Sequence, residues 1–230
     1  MSVCVPIPAK DFQTLLNMIC MAEESGADLI EVRLDYMGEK LLENLGRLKD
    51  IVSVCSTPLI ATNRHRRQGG ECVLSEEDRI RSLLIAAEAG FNYIDVEMDT
   101  LGLHDVVDRV KAYGAKVIIS HHIFTHTPPV EELDLFVKKQ IEANANVCKV
   151  VTMANSVLDS VRCLVFTYEA SRRTNLVCFA MGEKGILSRI LSPVFGASFT
   201  YASLKKGLET APGQITIHEL KEIYKRMGIE

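Results

Sequence analysis

Residues 58–98 read PLIATNRHRRQGGECVLSEEDRIRSLLIAAEAGFNYIDVEM and contain one complete strand–helix–strand unit. We predict strands over Pro58–Arg64 and Tyr93–Met98, because both runs combine apolar and β-branched residues. Between them, Ser75 begins a helix with the capping sequence Ser-Glu-Glu-Asp, and Gly90 ends it. Two strands joined by one helix form the unit from which parallel sheets are built.

The same alternation continues along the whole chain. Predicted strands begin about every 28 residues, close to the roughly 30 residues of a βαβ unit. The other predicted strands are Val3–Ile7, Leu29–Asp35, Lys116–His122, Val147–Thr152, Leu176–Met181 and Ser198–Tyr201, and further helices begin at Asp11, Pro129, Ser156 and Thr216. Eight strands alternating with eight helices predict an α/β protein with a single-domain (β/α)₈ TIM barrel over residues 1–230. The alternative is a doubly wound open sheet, but its Gly-x-Gly-x-x-Gly fingerprint is missing from the sequence.

Composition limits the classes of partner. The 230 residues include 26 basic and 30 acidic side chains, a net charge of −4. The sequence has no basic run and no apolar segment near the roughly 18 residues of a membrane span, so we expect neither nucleic acid nor membrane as a partner. The N-terminal sequence lacks signal-peptide features, and the seven cysteines form no Cys-x-x-Cys pair. These features favour a cytoplasmic protein without a disulfide framework.

Charged residues occur on two strands where a parallel sheet normally has apolar ones. On each strand they share one parity, so period-two geometry directs them into the barrel and toward its mouth. The two sets are Glu31, Arg33 and Asp35, and Asp95, Glu97 and Asp99. An internal salt-bridge layer with a purely structural role is one interpretation, and a polar binding site is the other.

Lys149 and two histidines indicate chemistry at the strand ends. Lys149 lies in the apolar sequence Val-Cys-Lys-Val-Val-Thr, where desolvation favours a neutral amine able to attack a carbonyl; a lysine that reaches solvent or pairs with Glu31 is the alternative. The preceding strand ends in His121 and His122, where barrel enzymes place catalytic groups, and histidine suits acid–base work. His126 follows in a loop, but the spacing of the three histidines is not typical of a metal site, and we expect no metal.

Two segments are suited to bind an anion. Arg64 begins the basic loop Arg-His-Arg-Arg-Gln-Gly-Gly, and Arg189 follows a glycine-containing helix start after the seventh strand. The planar guanidinium group matches a carboxylate or a phosphate.

Together these segments resemble the type I 3-dehydroquinate dehydratases, Schiff-base-forming (β/α)₈ enzymes of the shikimate pathway. The resemblance extends from Glu31 to Gln214. It rests on Glu31-Val-Arg-Leu-Asp, Thr62-Asn-Arg-His-Arg-Arg-Gln-Gly-Gly, Tyr93-Ile-Asp-Val-Glu, Ser120-His-His-Ile-Phe-Thr-His-Thr-Pro, Val147-Cys-Lys-Val-Val, Met181-Gly-x-x-Gly-x-x-Ser-Arg, Phe195-Gly-Ala-Ser-Phe-Thr-Tyr and Ala211-Pro-Gly-Gln. It implies a hydro-lyase of aromatic amino acid biosynthesis that converts 3-dehydroquinate to 3-dehydroshikimate, acts as a homodimer and needs no cofactor.

The resemblance also implies roles for single residues. Lys149 would form an imine with the substrate C3 ketone, His122 would be the general base and acid, and Arg189 would hold the substrate carboxylate. The remaining implied site residues are Glu31, Arg33, Arg64 and Gln214 on the substrate hydroxyls and ring oxygens, Met181, Phe124 and Thr210 lining or closing the pocket, and Asp95 near the lysine.

Two positions depart from the family pattern. Gln68 stands where the family usually has a carboxylate that orients the histidine, and an amide can hydrogen-bond an imidazole but cannot stabilise imidazolium by charge. We therefore expect a lower pKa for His122, or Glu31 in the orienting role. Ile123 replaces the aspartate that commonly follows the histidine.

Two other functions remain open from the residues alone. A class I aldolase on the same barrel would keep Lys149 as nucleophile but cleave a carbon–carbon bond. A non-catalytic binding barrel would use the polar layer for structure only.

Overall fold

The computed structural model describes residues 1–229 and arranges eight parallel strands in one sheet. The strands are β1 Val3–Ile7, β2 Leu29–Arg33, β3 Leu59–Thr62, β4 Tyr93–Glu97, β5 Lys116–His122, β6 Val147–Met153, β7 Leu176–Met181 and β8 Thr200–Tyr201. Each strand from β1 to β6 pairs with the next, and β8 pairs with β1. The N–H of Ser198 donates to the carbonyl of Leu176 at 2.8 Å, which joins the chain entering β8 to the start of β7. The predicted (β/α)₈ barrel is confirmed.

Helices surround the barrel, and most begin at the predicted residues. They are α1 Phe12–Glu24, α2 Lys40–Asn44, α3 Leu48–Val54, α4 Glu76–Glu88, α5 Leu103–Ala112, α6 Val130–Glu142, α7 Val157–Ala170, α8 Ile186–Leu191 and α9 Ile217–Met227. Asp11, Ser75 and Thr216 each accept a hydrogen bond from a backbone N–H of the first helical turn, the expected role of an N-cap. The segment after β2 forms two short helices, so residues 1–229 contain nine α-helices where the sequence predicts eight. Across this same range, none of the helices is long and apolar enough to span a membrane.

Apolar side chains form two layers separated by the sheet. Ile30 and Val32 pack outward with the helices, whereas Val177 and Phe179 belong to a cluster inside the barrel. At the bottom of the barrel, Asx side chains that precede one strand accept backbone N–H groups near the start of the neighbouring strand. Three such bonds, each 2.8 Å long, join Val3 to Asp28, Leu59 to Asn92 and Val117 to Asn146. The lower end of the barrel is thus held by side-chain hydrogen bonds, and the charged residues lie toward the upper end.

Three of the predicted strands end earlier than expected, and one of them is β3, which stops at Thr62 although the sequence predicts an end at Arg64. β2 stops at Arg33, because Leu34–Met37 forms a 3₁₀ turn in which the Asp35 carboxylate accepts two hydrogen bonds from the Arg33 guanidinium. β4 stops at Glu97, where the N–H of Thr100 turns back to the Glu97 carbonyl. Asp99 is consequently exposed, and the prediction that it points into the barrel is wrong.

Candidate active site

A pocket of about 470 Å³ opens at the C-terminal ends of the strands. This is the end of a (β/α)₈ barrel at which active sites occur. Eleven of the twelve predicted site residues line it: Glu31, Arg33, Arg64, Gln68, His122, Phe124, Lys149, Met181, Arg189, Thr210 and Gln214. The twelfth, Asp95, contacts Lys149 from β4.

Lys149 lies on β6 with its amino group buried inside the barrel. Its Nζ donates to Asp95 Oδ2 at 3.0 Å and to the hydroxyl of Tyr201 at 2.9 Å, and Glu31 Oε1 is 3.5 Å away. The interpretation in which this lysine reaches solvent is wrong, because only about 4% of the residue is exposed. Pairing with Glu31, the other structural alternative, does occur. Lys149 also lines the pocket, so the ion pair and the position at the pocket wall occur together.

Tyr201 is a site residue that sequence reasoning missed. Its hydroxyl contacts Lys149 Nζ and donates to Glu31 Oε1 at 3.3 Å. The residue comes from β8, which is only two residues long. The matching segment that ends in Tyr201 was the available signal, because the predicted strand Ser198–Tyr201 indicates no contact for the hydroxyl.

Alternating charges extend from Lys149 away from the pocket. Arg64 Nη2 is 2.8 Å from Asp95 Oδ2 and its Nη1 is 3.2 Å from Glu97 Oε1. Arg79 of α4 pairs with the other oxygen of Glu97 and is itself buried. Burial opposes ionisation of Asp95, but Arg64 and Lys149 together hold the pKa of this carboxyl well below its ordinary value of 3.8. These alternating charges of Lys149, Asp95, Arg64, Glu97 and Arg79 form a charge ladder, which therefore keeps Asp95 ionised beside the amine.

His122 ends β5 at the pocket wall. Its ring stacks on that of Phe124, with centroids 6.2 Å apart. Burial and the positive charges of Arg64 and Lys149 hold the pKa of His122 well below its ordinary value of 6.5. The imidazole is therefore neutral near pH 7, the form that a general base requires.

Gln68 reaches His122 through the backbone and not through the ring. Its Oε1 accepts a hydrogen bond from the His122 N–H at 2.9 Å, and its Nε2 is 3.5 Å from Asp99 Oδ2. Among residues 1–229, no group hydrogen-bonds the buried Nδ1 of His122. The pKa of His122 is lowered by burial, Arg64 and Lys149, and the Gln68 amide does not bind the imidazole.

Arg189 differs from the other buried arginines. Arg33 is paired with Asp35, and Arg64 with two carboxylates, but Arg189 has no carboxylate partner in the part of the chain that the structure describes. Its guanidinium lies over the Phe179 ring, 4.3 Å from the centroid, and burial lowers its pKa to about 9. An unpaired buried cation that lines a pocket is a strong anion site.

Thr210 and Gln214 belong to a loop that covers one side of the pocket. The Thr210 N–H donates to Gln214 Oε1, and Gln214 Nε2 donates to the Thr210 hydroxyl. The carbonyl of Pro212 accepts the N–H of Gly182 at 3.1 Å. Gly213 has φ +76°, and a Cβ there would overlap the Gly182 carbonyl, so only glycine fits this contact.

The family that these features indicate is shown by comparison. A family model described as type I 3-dehydroquinase matches residues 3–230. The chain belongs to the type I 3-dehydroquinase family. It is 39% identical over 208 residues to a 3-dehydroquinate dehydratase of Dehalococcoides mccartyi, and the match covers 90% of each chain.

Solved structures agree with this assignment. A type I 3-dehydroquinate dehydratase of Clostridium difficile, solved with covalently modified comenic acid, superposes with a TM-score of 0.88 at 26% identity over 98% of this chain and 91% of the other. The 3-dehydroquinate dehydratase of Geobacillus kaustophilus shares the fold with a TM-score of 0.91 at 24% identity, over 99% of this chain and 91% of the other.

Within this type I 3-dehydroquinase, the two histidines nearest to His122 in the sequence, His121 and His126, lie away from the pocket. His121 packs against Phe136 of α6, with ring centroids 4.5 Å apart, and His126 is exposed. Ile123 continues the backbone pairing of β5, because its N–H donates to the Val151 carbonyl at 2.8 Å.

Proposed function

We propose that this protein dehydrates 3-dehydroquinate to 3-dehydroshikimate in the shikimate pathway, with Lys149, His122 and Arg189 as the central residues. The observation that carries the assignment is Arg189, a buried cation without an acid partner in residues 1–229 that lines the same pocket as a buried lysine. A substrate with one carboxylate and one ketone satisfies both groups at once.

The amine of Lys149 attacks the C3 ketone, and the resulting carbinolamine loses water to give a protonated imine. This iminium withdraws electrons from C2, so neutral His122 removes a C2 proton and an enamine forms. The enamine electrons then expel the C1 hydroxyl, which leaves as water with the proton that His122 carries. Hydrolysis of the imine releases the product and restores Lys149.

Substrate binding uses the other residues of the pocket. Arg189 pairs with the carboxylate, and Glu31, Arg33, Arg64 and Gln214 contact the hydroxyls and ring oxygens. Asp95 supports the lysine from below. Arg33 and Arg64 are already bound to acids of the barrel, so they offer rigid hydrogen-bond donors with little charge to spare. Phe124, Met181 and Thr210 line the walls.

The test is a spectrophotometric assay combined with covalent trapping. The purified protein is expected to form the conjugated enone carboxylate from 3-dehydroquinate, and borohydride added during turnover is expected to increase the protein mass by one reduced substrate adduct. Lys149→Ala removes the adduct, whereas Lys116→Ala, a matched change at the opposite end of the barrel, leaves it. Aldehyde release in place of enone would indicate an aldolase, and neither product nor adduct would indicate a binding barrel.

We also propose that residues 1–230 form one catalytic domain and that it acts as a homodimer in the cytoplasm. Helix α7 exposes an apolar stripe that supports a subunit interface, consisting of Val157, Leu158, Val161, Val165 and Tyr168. The seven cysteines are all free thiols, which agrees with a reducing compartment. Sedimentation analysis of Val161→Glu against the parent protein tests the interface, because a charge in an apolar contact dissociates the dimer.

A further inference from the structure

Three acceptors surround the amino group of Lys149, which matches the three protons of an ammonium ion. They are Asp95 Oδ2 at 3.0 Å, the Tyr201 hydroxyl at 2.9 Å and Glu31 Oε1 at 3.5 Å. Imine formation needs the neutral amine, so one of these contacts has to take a proton from Nζ before the attack.

Asp95 is poorly suited to receive that proton. Its Oδ2 is also 2.8 Å from Arg64, and its Oδ1 accepts a hydrogen bond from Ser120 at 2.6 Å. Protonation would leave the buried Arg64 with one charge partner fewer. Asp95 is therefore a fixed counter-charge.

Glu31 has a different environment. Apart from Lys149, its Oε1 contacts hydroxyl groups, namely Thr62 at 2.8 Å and Tyr201 at 3.3 Å. Within residues 1–229, no arginine forms an ion pair with this carboxylate. Protonation of Glu31 therefore costs no second salt bridge.

Tyr201 occupies the position between the two groups. Its hydroxyl accepts from Lys149 and donates to Glu31, and its ring packs against Phe179 and Phe199 at centroid distances of 6.1 and 5.7 Å. Burial and then the charge of Glu31 raise the pKa of Tyr201 well above 10. A tyrosine that keeps its own proton can pass one on but does not store it.

We propose that the Tyr201 hydroxyl is a catalytic proton relay between Lys149 and Glu31 during imine formation. The step rests on the proposed function and balances as follows: the ammonium proton moves from Nζ to the Tyr201 oxygen while the hydroxyl proton of Tyr201 moves to Glu31 Oε1. This leaves a neutral amine, a neutral tyrosine and a protonated Glu31. When the carbinolamine forms, the relay runs in reverse, and the proton from Glu31 passes through Tyr201 to the departing C3 hydroxyl, which leaves as water.

The relay is tested by the rate of covalent trapping. Wild-type protein and the Tyr201→Phe variant are mixed with 3-dehydroquinate and quenched with borohydride at successive times. Intact-protein mass spectrometry then measures the fraction that carries the adduct. We expect adduct accumulation to slow by about 100-fold in Tyr201→Phe, in the range of general acid–base contributions, with the same final yield because Lys149 is unchanged. Tyr224→Phe is the control: it also removes a buried hydroxyl, one that binds the Ile190 carbonyl on the outer layer, and is expected to trap at the wild-type rate.

Glu31→Gln keeps a hydrogen-bonding oxygen but cannot take the proton. It is expected to slow trapping, and the double variant with Tyr201→Phe to be no slower than the slower single variant. A wild-type trapping rate in Tyr201→Phe, or fully additive losses, overturns the relay. If Tyr201→Phe does not fold, the rate of trapping of wild-type protein is measured in mixtures of H₂O and D₂O. A curved dependence of this rate on the deuterium fraction supports the movement of two protons, and a linear dependence rejects the relay. Loss of both adduct and enone in the wild type instead refutes the proposed function itself.

Discussion

Replacing Arg189 with methionine is expected to weaken substrate binding and, at the same time, to stabilise the fold. Burial lowers the pKa of Arg189 from the ordinary 12.5 to about 9. The folded protein therefore carries an unfavourable charge at every pH below about 9, and this cost fades as the pH rises from 9 to 12.5. At neutral pH the cost is about 5 kcal/mol, since a tenfold change in proton affinity is worth 1.36 kcal/mol.

The expected gain in stability is smaller than that cost. Methionine gives up the interaction of the guanidinium with the Phe179 ring, which is worth about 2 kcal/mol in a desolvated site. The free energy of unfolding should thus rise by about 3 kcal/mol. For a chain of this length, that corresponds to a melting temperature about 6–12 °C higher.

The loss in binding follows from the same geometry. Removing one partner of a buried, hydrogen-bonded charge pair costs about 2–5 kcal/mol, so KM for 3-dehydroquinate should rise by about 30- to 5000-fold. Steady-state kinetics and thermal unfolding in the absence of ligand measure the two effects separately.

The matched control is Arg64→Met, the same substitution at a buried arginine that has two acid partners. It leaves Asp95 and Glu97 short of a counter-charge and should destabilise the protein by about 3–5 kcal/mol. The reasoning is refuted if Arg189→Met melts at or below the wild-type temperature, or if its KM is unchanged.

Three further predictions concern residues around the pocket. Gln68→Glu is expected to raise the depressed pKa of His122 and to move the acid limb of the kcat/KM profile up by about one pH unit, because a carboxylate stabilises imidazolium; an unchanged profile would contradict this. Gly213→Ala is expected to push the covering loop off the Gly182 carbonyl and to raise KM by about tenfold, and the free energy of unfolding should fall by about 1 kcal/mol. Steady-state kinetics compared with urea unfolding would show whether the loss is confined to binding. Arg79→Met leaves a buried carboxylate without one of its two arginines, so urea unfolding should show a loss of about 3–5 kcal/mol, and a neutral effect would rule out the ladder as a stabilising element.

Strand positions could be predicted where apolar runs have sharp limits. Val3–Ile7, Lys116–His122 and Leu176–Met181 coincide with β1, β5 and β7. Period-two alternation continues past the true ends of β2 and β4, because a salt bridge or a turn can stop a strand without changing the residue pattern. The split helix after β2 also has no clear signal, since short helices depend on packing more than on propensity.

The candidate site could be predicted to the level of residue types at strand ends. The position of Asp95 near Lys149 follows from the family resemblance and not from the order of the strands, since β4 and β6 are separated by β5. Tyr201 could not be assigned, because its contact with Lys149 depends on how the first and last strands close the barrel, and closure is a three-dimensional property. The contact of Gln68 with the backbone N–H of His122 could not be predicted from the sequence either, since it depends on the 3₁₀ turn that the loop adopts at Arg66–Gln68.

The unpaired state of Arg189 has a consequence for electroneutrality. Every other buried cation around the pocket has a carboxylate within ion-pair distance: Asp35 for Arg33, Asp95 and Glu97 for Arg64, Glu76 and Glu97 for Arg79, and Asp95 and Glu31 for Lys149. Within residues 1–229, Arg189 is the member of this set whose charge has no neighbouring carboxylate to balance it. A ligand with a single negative charge neutralises the Arg189 site, whereas an uncharged analogue leaves its charge in place and a phosphate dianion adds a second, unmatched negative charge. The pocket thus discriminates between ligands by their charge as well as by their individual contacts.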